Sequence, residues 1–265
     1  MEAIAQRVAP RDLPDHLVGH GRYVFTLGDV ERLCAVDHPD ALLAVHRLKT
    51  RGKVFSPARG LYVVIPPEYR TWKVVPADWF IDPMMRHLRR PYYVSLLSAA
   101  AMHGAAHQAP MVYQVMTTGR VEDRDIGRVR LRFFDTARAD KAPTQSFNVH
   151  TGSIRVATKE TTVVDLVTHF DQSGGISNVA TILTDIGELN GGHLARESSA
   201  HGRAVSRRVG WLVQHFGTVD DLEAVRQAAR IDVGEAVELC PGGPRRGVAD
   251  REWAVRLNEV VEPDQ

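Results

Sequence analysis

An α+β fold, with a small N-terminal unit ahead of a larger mixed domain, is predicted by three features of this 265-residue sequence. Residues 26–65 run in the order helix, turn, helix, two-stranded hairpin. Residues 128–134 alternate strictly, with Arg128, Arg130 and Arg132 on one face and Val129, Leu131 and Phe133 on the other, the period-two pattern of a strand. In the second half, strand signals cluster before helical ones instead of alternating with them, which favours α+β over α/β.

The first unit is built from local signals. Thr26 is placed to cap a short helix that carries Val30, Leu33 and Cys34 on one face. Val36-Asp37-His38 breaks it. Pro39 opens the next helix, because its ring presets φ for a first turn where the missing N–H costs nothing. At about 100° per residue, Ala41, Leu42, Ala44, Val45 and Leu48 fall on one arc of that helix. Asp40, Leu43, His46, Arg47, Thr50 and Arg51 fall on the other. Gly52 suits a left-handed cap at its end. Residues 53–56 and 61–65, joined by Pro57-Ala58-Arg59-Gly60, read as a hairpin with β-branched and aromatic residues around a Pro/Gly turn. This order is a winged helix-turn-helix, assigned to residues 1–66.

Charge gives that unit a purpose. From Arg47 to Arg59 there are five basic residues (Arg47, Lys49, Arg51, Lys53, Arg59) and no acidic one. Residues 1–70 as a whole hold ten Lys/Arg against eight Asp/Glu, so the positive charge is gathered on the second helix and the hairpin. Those are the elements that such a motif presents to phosphates, whose neutralisation dominates affinity for DNA. Arg47, Lys49, Arg51, Lys53 and Arg59 are therefore the expected phosphate anchors, and His46, Arg47 and Thr50 the expected base contacts. A winged unit that binds another protein is the competing reading.

Bulk properties restrict the remaining classes. The chain is long enough for two domains, its net charge is +1, and no apolar run approaches the ~18 residues of a membrane helix. The first residues lack the charged-then-apolar form of a secretory signal. Two cysteines, Cys34 and Cys240, fit a reducing cytoplasm, with Cys34 as a small buried apolar residue.

Residues 67–265 are assigned to the α+β domain, with a linker at about 66–78 and a short helix at 83–88. Residues 91–104 read as one buried helix, with Pro near its start and Gly at its end. Strands are expected at 112–117 and 128–134, a hairpin at 147–157, and helices at 161–170, 176–189, 203–216 and 219–229. The arginine face of Arg128, Arg130 and Arg132, together with Arg203, Arg207 and Arg208, is a possible surface for an acidic partner or flanking DNA. The bland reading of that face is the solvated side of an antiparallel strand.

These segments together resemble the AbiEi-type antitoxins of abortive-infection (type IV) toxin–antitoxin systems, which double as transcriptional regulators. The resemblance is carried by Arg59-Gly60-Leu61-Tyr62-Val63; by Tyr93-Val94-Ser95-Leu96-Leu97-Ser98-Ala99-Ala100 with His103-Gly104; and by Tyr113-Gln114-Val115-Met116-Thr117. It continues through Val156-Ala157-Thr158-Lys159-Glu160-Thr161-Thr162-Val163-Val164-Asp165-Leu166, Arg207-Arg208-Val209-Gly210-Trp211-Leu212 and Asp250-Arg251-Glu252-Trp253. Order and spacing, more than any one phrase, make the match. The resemblance implies a winged-helix repressor domain on its own operator and a C-terminal domain that opposes a nucleotidyltransferase-like toxin. The wing departs from the pattern in carrying a single Arg at its tip, which implies modest operator affinity.

Catalytic and metal constellations do not assemble. His103 and His107 are four apart, but Gly104 ends the helix, no Glu follows His103, and no further ligand is near. His103 is expected to cap or to contact a partner. Lys159-Glu160 and Asp165 suggest nuclease chemistry, yet no Glu-x-Lys pair occurs; Glu160 suits a helix start and Asp165 a polar helix face. Gly-x-Ser-x-Gly and the phosphate-binding Gly-x-x-x-x-Gly-Lys are both missing. The expectation is a non-enzymatic protein with no catalytic residues, metal or cofactor. Its partners are operator DNA and a toxin, and it binds DNA as a dimer or cooperatively.

Overall fold

The computed structural model of the chain describes residues 7–106, 110–231, 235–244 and 246–263. After a 3-10 turn at Pro10–Asp12 come helix α1 (Leu13–Gly19), strand β1 (Val24–Thr26), helices α2 (Leu27–Cys34) and α3 (His38–Thr50), and strands β2 (Val54–Ala58) and β3 (Leu61–Val64). The strands form an antiparallel sheet in the order β1-β3-β2. That is a winged helix-turn-helix whose hairpin β2–β3 is the wing. Helix α1 and strand β1 add to what the sequence reading assigned. Both are short, and β1 gains its place only by pairing Phe25 with Tyr62 across the sheet.

Local chemistry fixes each boundary. Thr26 caps α2 in a capping box: its hydroxyl accepts from the Asp29 amide at 3.3 Å, and Asp29 accepts from the Thr26 amide at 2.9 Å. Burial of Asp29 raises its pKa, but the Thr26 and Arg22 hydrogen bonds outweigh it and bring the carboxyl down to about 2. Asp37 caps α3 by accepting from the Asp40 amide at 3.0 Å. Leu13, Leu17, Phe25, Val30, Cys34, Ala41, Val45, Leu48, Val54 and Val64 then close one apolar core. Cys34 is fully buried in it.

Helix α4 (Ile81–His87) leads into strand β4 (Tyr92–Val94), helix α5 (Leu96–Met102) and strands β5 (Tyr113–Thr117), β6 (Arg124–Ile126), β7 (Val129–Asp135), β8 (Thr144–Val149) and β9 (Gly152–Ala157). They build a mixed six-stranded sheet, β6-β7-β5-β4-β9-β8, with β4 parallel to β9 and antiparallel to β5. The single helix expected over 91–104 is thus corrected to a strand followed by a shorter helix. Tyr92, Tyr93 and Val94 are buried on both faces of a central strand, and a short all-apolar run has no periodicity to separate strand from helix. Leu96, at φ +53°, makes the abrupt turn between them, a conformation that a bulky side chain adopts only when its surroundings enforce it.

The chain continues through α6 (Lys159–Thr168), α7 (Gly175–Asp185), β10 (Glu188–Leu189), α8 (Gly191–Ala200), α9 (Arg203–Phe216), β11 (Thr218–Val219), α10 (Leu222–Ala229), β12 (Val237–Glu238), β13 (Val248–Asp250) and β14 (Val255–Leu257). The helices stack on one another and on the sheet around Val156, Val163, Ile182, Val209 and Leu212. Helix α8 adds to the sequence reading. No helix among the described residues is long and apolar enough to cross a membrane.

The winged unit is not an appendage. Phe55, Ala58, Leu61, Val63 and Ile65 turn their side of the wing sheet into a second cluster with Val74, Val75, Trp79, Phe80, Met84 and Leu131. Strand β7 and helix α4 therefore share an apolar layer with the wing.

Candidate nucleic-acid interface

Helix α3 buries Ala41, Ala44, Val45 and Leu48 against the core. At about 100° per residue, the ridge opposite that stripe is Pro39, Leu43, His46 and Thr50, all exposed. Arg47 and Arg51 flank the ridge on one side and Lys49 on the other, and these too are exposed. Among the described residues none of Arg47, Lys49, Arg51 and Arg59 has a carboxylate in ion-pair range. Their charge is uncompensated among the described residues.

A groove of about 530 Å³ runs along the Arg47–Arg51 side, between α3 and the 3-10 turn at Pro10. Arg11, which also pairs with Asp12 at 3.4 Å, lines it from across; Arg47, Arg51, Asp40, Val36 and Leu43 are also on its wall. Arg11 was no part of the sequence reading, because it comes from a turn that lies two helices upstream.

Two of the expected anchors differ in situation from the rest. The Lys53 ammonium sits 3.7 Å from the Asp15 carboxylate and donates to the Arg11 carbonyl at 3.4 Å, so its charge is already partly countered. Arg59 has an exposed side chain, but its backbone carbonyl pairs with His87 Nε2 at 2.9 Å and holds the wing tip against α4. Gly60, at φ +80°, makes the two-residue turn there. Thr50 donates its hydroxyl to the His46 carbonyl at 3.0 Å, a bond within the helix.

The second basic surface does not survive as one. Arg207 is corrected from a surface residue to a buried one, 3% exposed, whose guanidinium donates to the carbonyls of Ala229, Arg230 and Glu235. Arg208 is half-buried and donates to the Glu238 carbonyl at 2.7 Å. Only Arg203 of that trio is exposed. On β7, Arg132 pairs with Asp125 at 2.8 Å and with Asp123 at 3.6 Å, and Arg130 lies opposite Asp125 across the ladder. Arg128 covers the Trp72 ring at 5.2 Å. Carboxylates on β6 and just before it therefore offset an arginine face that looked continuous from the alternation alone.

The residues weighed for chemistry are structural. His103 Nε2 pairs with the Ala157 carbonyl at 2.8 Å, and burial lowers the pKa of the ring. His107 lies outside the described residues. Glu160 accepts from the Asn190 amide at 2.9 Å. Asp165, expected on a polar helix face, is corrected to a buried group, 1% exposed. It accepts from Ser95 Oγ at 2.5 Å and bonds Tyr93, and burial pushes its pKa up to about 6. Beside it both carboxylate oxygens of Glu197 accept from Arg138 Nη2, at 2.9 and 2.8 Å, with His201 Nε2 at 3.5 Å. Burial would raise the Glu197 carboxyl, but the His201 and Arg138 contacts win and lower it.

Comparison with known proteins agrees with this fold. Residues 93–215 match the family model described as the AbiEi antitoxin C-terminal domain. The crystal structure of the RV2827C protein from Mycobacterium tuberculosis superimposes with a TM-score of 0.66 at 15% sequence identity, over 95% of this chain and 92% of that one. At that identity the likeness concerns fold. No curated protein sequence matches the chain. Across residues 93–215 the sheet and the helices packed on it are thus similar to the AbiEi antitoxin C-terminal domain, and a winged helix-turn-helix precedes them.

Proposed function

We propose that this chain is a transcriptional repressor that binds its own operator through α3 and the wing, and that it serves as the antitoxin of a toxin–antitoxin pair. The carrying observation is the joining of an α3 whose cations are uncountered within the described residues to an AbiEi antitoxin domain in one chain. Arg47, Arg51 and Lys49 neutralise phosphates on both sides of the groove that α3 enters, with Arg11, Lys53 and Arg59 around them. His46, Arg47 and Thr50 face the bases. Residues 1–66 carry the DNA contact and residues 67–265 the antitoxin role, with the apolar layer under the wing shared between them. Its role is regulatory, not catalytic, and its place is the cytoplasm. The toxin it counters is nucleotidyltransferase-like, and operator binding is dimeric or cooperative.

A reporter driven by the chain's own upstream region tests the first half. The full chain is expected to lower expression, and Arg47→Ala/Arg51→Ala to restore it at equal protein level. Co-expression with the product of the adjacent gene tests the second: rescue of growth by the full chain supports the antitoxin role. Repression with no rescue of any neighbouring gene product would leave a stand-alone regulator. Rescue without any DNA binding would favour a winged unit that binds protein.

A further inference from the structure

Helix α3 carries two adjacent leucines in the open: Leu42 and Leu43 are 47% and 45% exposed. Large exposed apolar side chains are few among the described residues, and the others (Trp72, Met111, Val248, Val260) are scattered singly over the rest of the chain. Leu43 lies on the outward ridge between Pro39 and His46. Leu42 lies at its Lys49 edge. Both belong to the N-terminal half of the helix, the half that a winged helix-turn-helix brings nearest to base edges.

The only apolar group on the floor of the DNA major groove is the C5-methyl of thymine. Cations flank these leucines on both sides, Arg47 and Arg51 on one and Lys49 on the other, as the two phosphate walls of a groove require. Of the rest of the ridge, His46 carries a ring N–H donor. Pro39 has none, and the Thr50 hydroxyl proton is committed to the His46 carbonyl. We propose that Leu43, with Leu42 beside it, reads thymine through its methyl group and so sets part of the operator sequence. This rests on the DNA-binding reading above and adds to it the identity of the bases contacted.

The test uses the full chain and the DNA fragment upstream of its own gene, prepared once with thymine and once with uracil throughout. Uracil keeps the base pairing and removes every C5-methyl. Wild type is expected to bind the uracil fragment more weakly, by about fourfold for each methyl contacted, from the transfer free energy of one carbon group. Leu43→Ala and Leu42→Ala/Leu43→Ala are expected to bind thymine DNA more weakly and to show little or no uracil penalty. Because both leucines are half exposed, these variants keep the wild-type melting temperature. Equal wild-type binding to the two fragments overturns the proposal. So does a uracil penalty that persists undiminished in the leucine variants, since that signals sequence-dependent DNA shape. A change in oligomeric state on leucine substitution, with the penalty intact, overturns it in favour of a contact with a second copy of the chain. Failure of wild type to bind even the thymine fragment is a different result and removes the DNA-binding reading itself.

Discussion

Replacing Asp165 by Asn tests how the interior of the α+β domain tolerates charge. Asp165 is 1% exposed; it accepts from Ser95 at 2.5 Å, bonds Tyr93, and has Glu197 and His201 for ionisable neighbours. Burial raises its pKa from the ordinary 3.8 to about 6, against the pull of the Ser95, His201 and Tyr93 contacts. Below pH 4 the group is protonated in both folded and unfolded chains. Between pH 4 and 6 the unfolded chain loses the proton while the folded chain keeps it, so the folded state binds more protons and stability falls as pH rises. At about 1.36 kcal/mol per decade the loss totals about 3 kcal/mol once pH passes 6. The half-buried histidines His103 and His169 have lowered pKa values and tilt the profile the opposite way. The informative quantity is therefore the difference between variant and wild type, in which they cancel. Urea unfolding of both proteins from pH 4 to pH 7.5 is expected to give a difference that moves in favour of Asp165→Asn by about 3 kcal/mol across the range. Exchanging one acceptor oxygen for an amide adds an offset, but that offset does not vary with pH. A difference flat to within about 0.5 kcal/mol refutes the reasoning, because it means the carboxyl titrates alike in both states.

Three further outcomes follow from the packing. A Cβ on Gly210 of α9 would overlap the buried Trp253 ring, so Gly210→Ala is expected to cost at least the ~1–3 kcal/mol typical of overpacking and to shift the tryptophan emission; an unchanged melting temperature would contradict it. Arg207→Ala leaves three buried or half-buried carbonyls without their donor and is expected to cost about 3 kcal/mol; Arg207→Lys should rescue little, as one ammonium cannot span the fork, and full rescue would contradict the account. A fragment ending at residue 66 bares Phe55, Leu61, Val63 and Ile65, each worth roughly 1.5–3 kcal/mol when covered. It is expected to bind hydrophobic dyes and aggregate, whereas a monomeric fragment with a cooperative melt would show that the shared layer is dispensable.

What the sequence made legible was mostly local. Thr26, Pro39, Gly52 and the Pro57–Gly60 turn announce their elements through φ preferences and capping, which act within a few residues. Strand β7 was visible because its two faces differ. Strand β4 was not, because both of its faces are buried, and strand β1 exists only through its partner β3. The same distinction governs the site. The exposed cations of α3 follow from helical phase, and the structure sets them where that phase requires. Arg207 and Asp165 were misread for a different reason: polarity suggests surface, and only the neighbours brought by α10 or by β4 reveal a buried charge with its hydrogen bonds made. The arginines of β7 were read without Asp123 and Asp125, which sit only a few residues away but reach Arg132 through strand pairing. The docking of the wing tip on α4 through His87 has no signal in either segment alone.

If the uncountered cations on α3 grip duplex DNA as proposed, binding must respond to salt. Binding of the full chain to its own upstream fragment, followed against salt concentration, is expected to weaken along a linear log–log line. In Arg47→Ala/Arg51→Ala the slope should fall by about 2, since each phosphate contact contributes about 0.9. A slope unchanged by those substitutions, or affinity indifferent to salt, would contradict the claim.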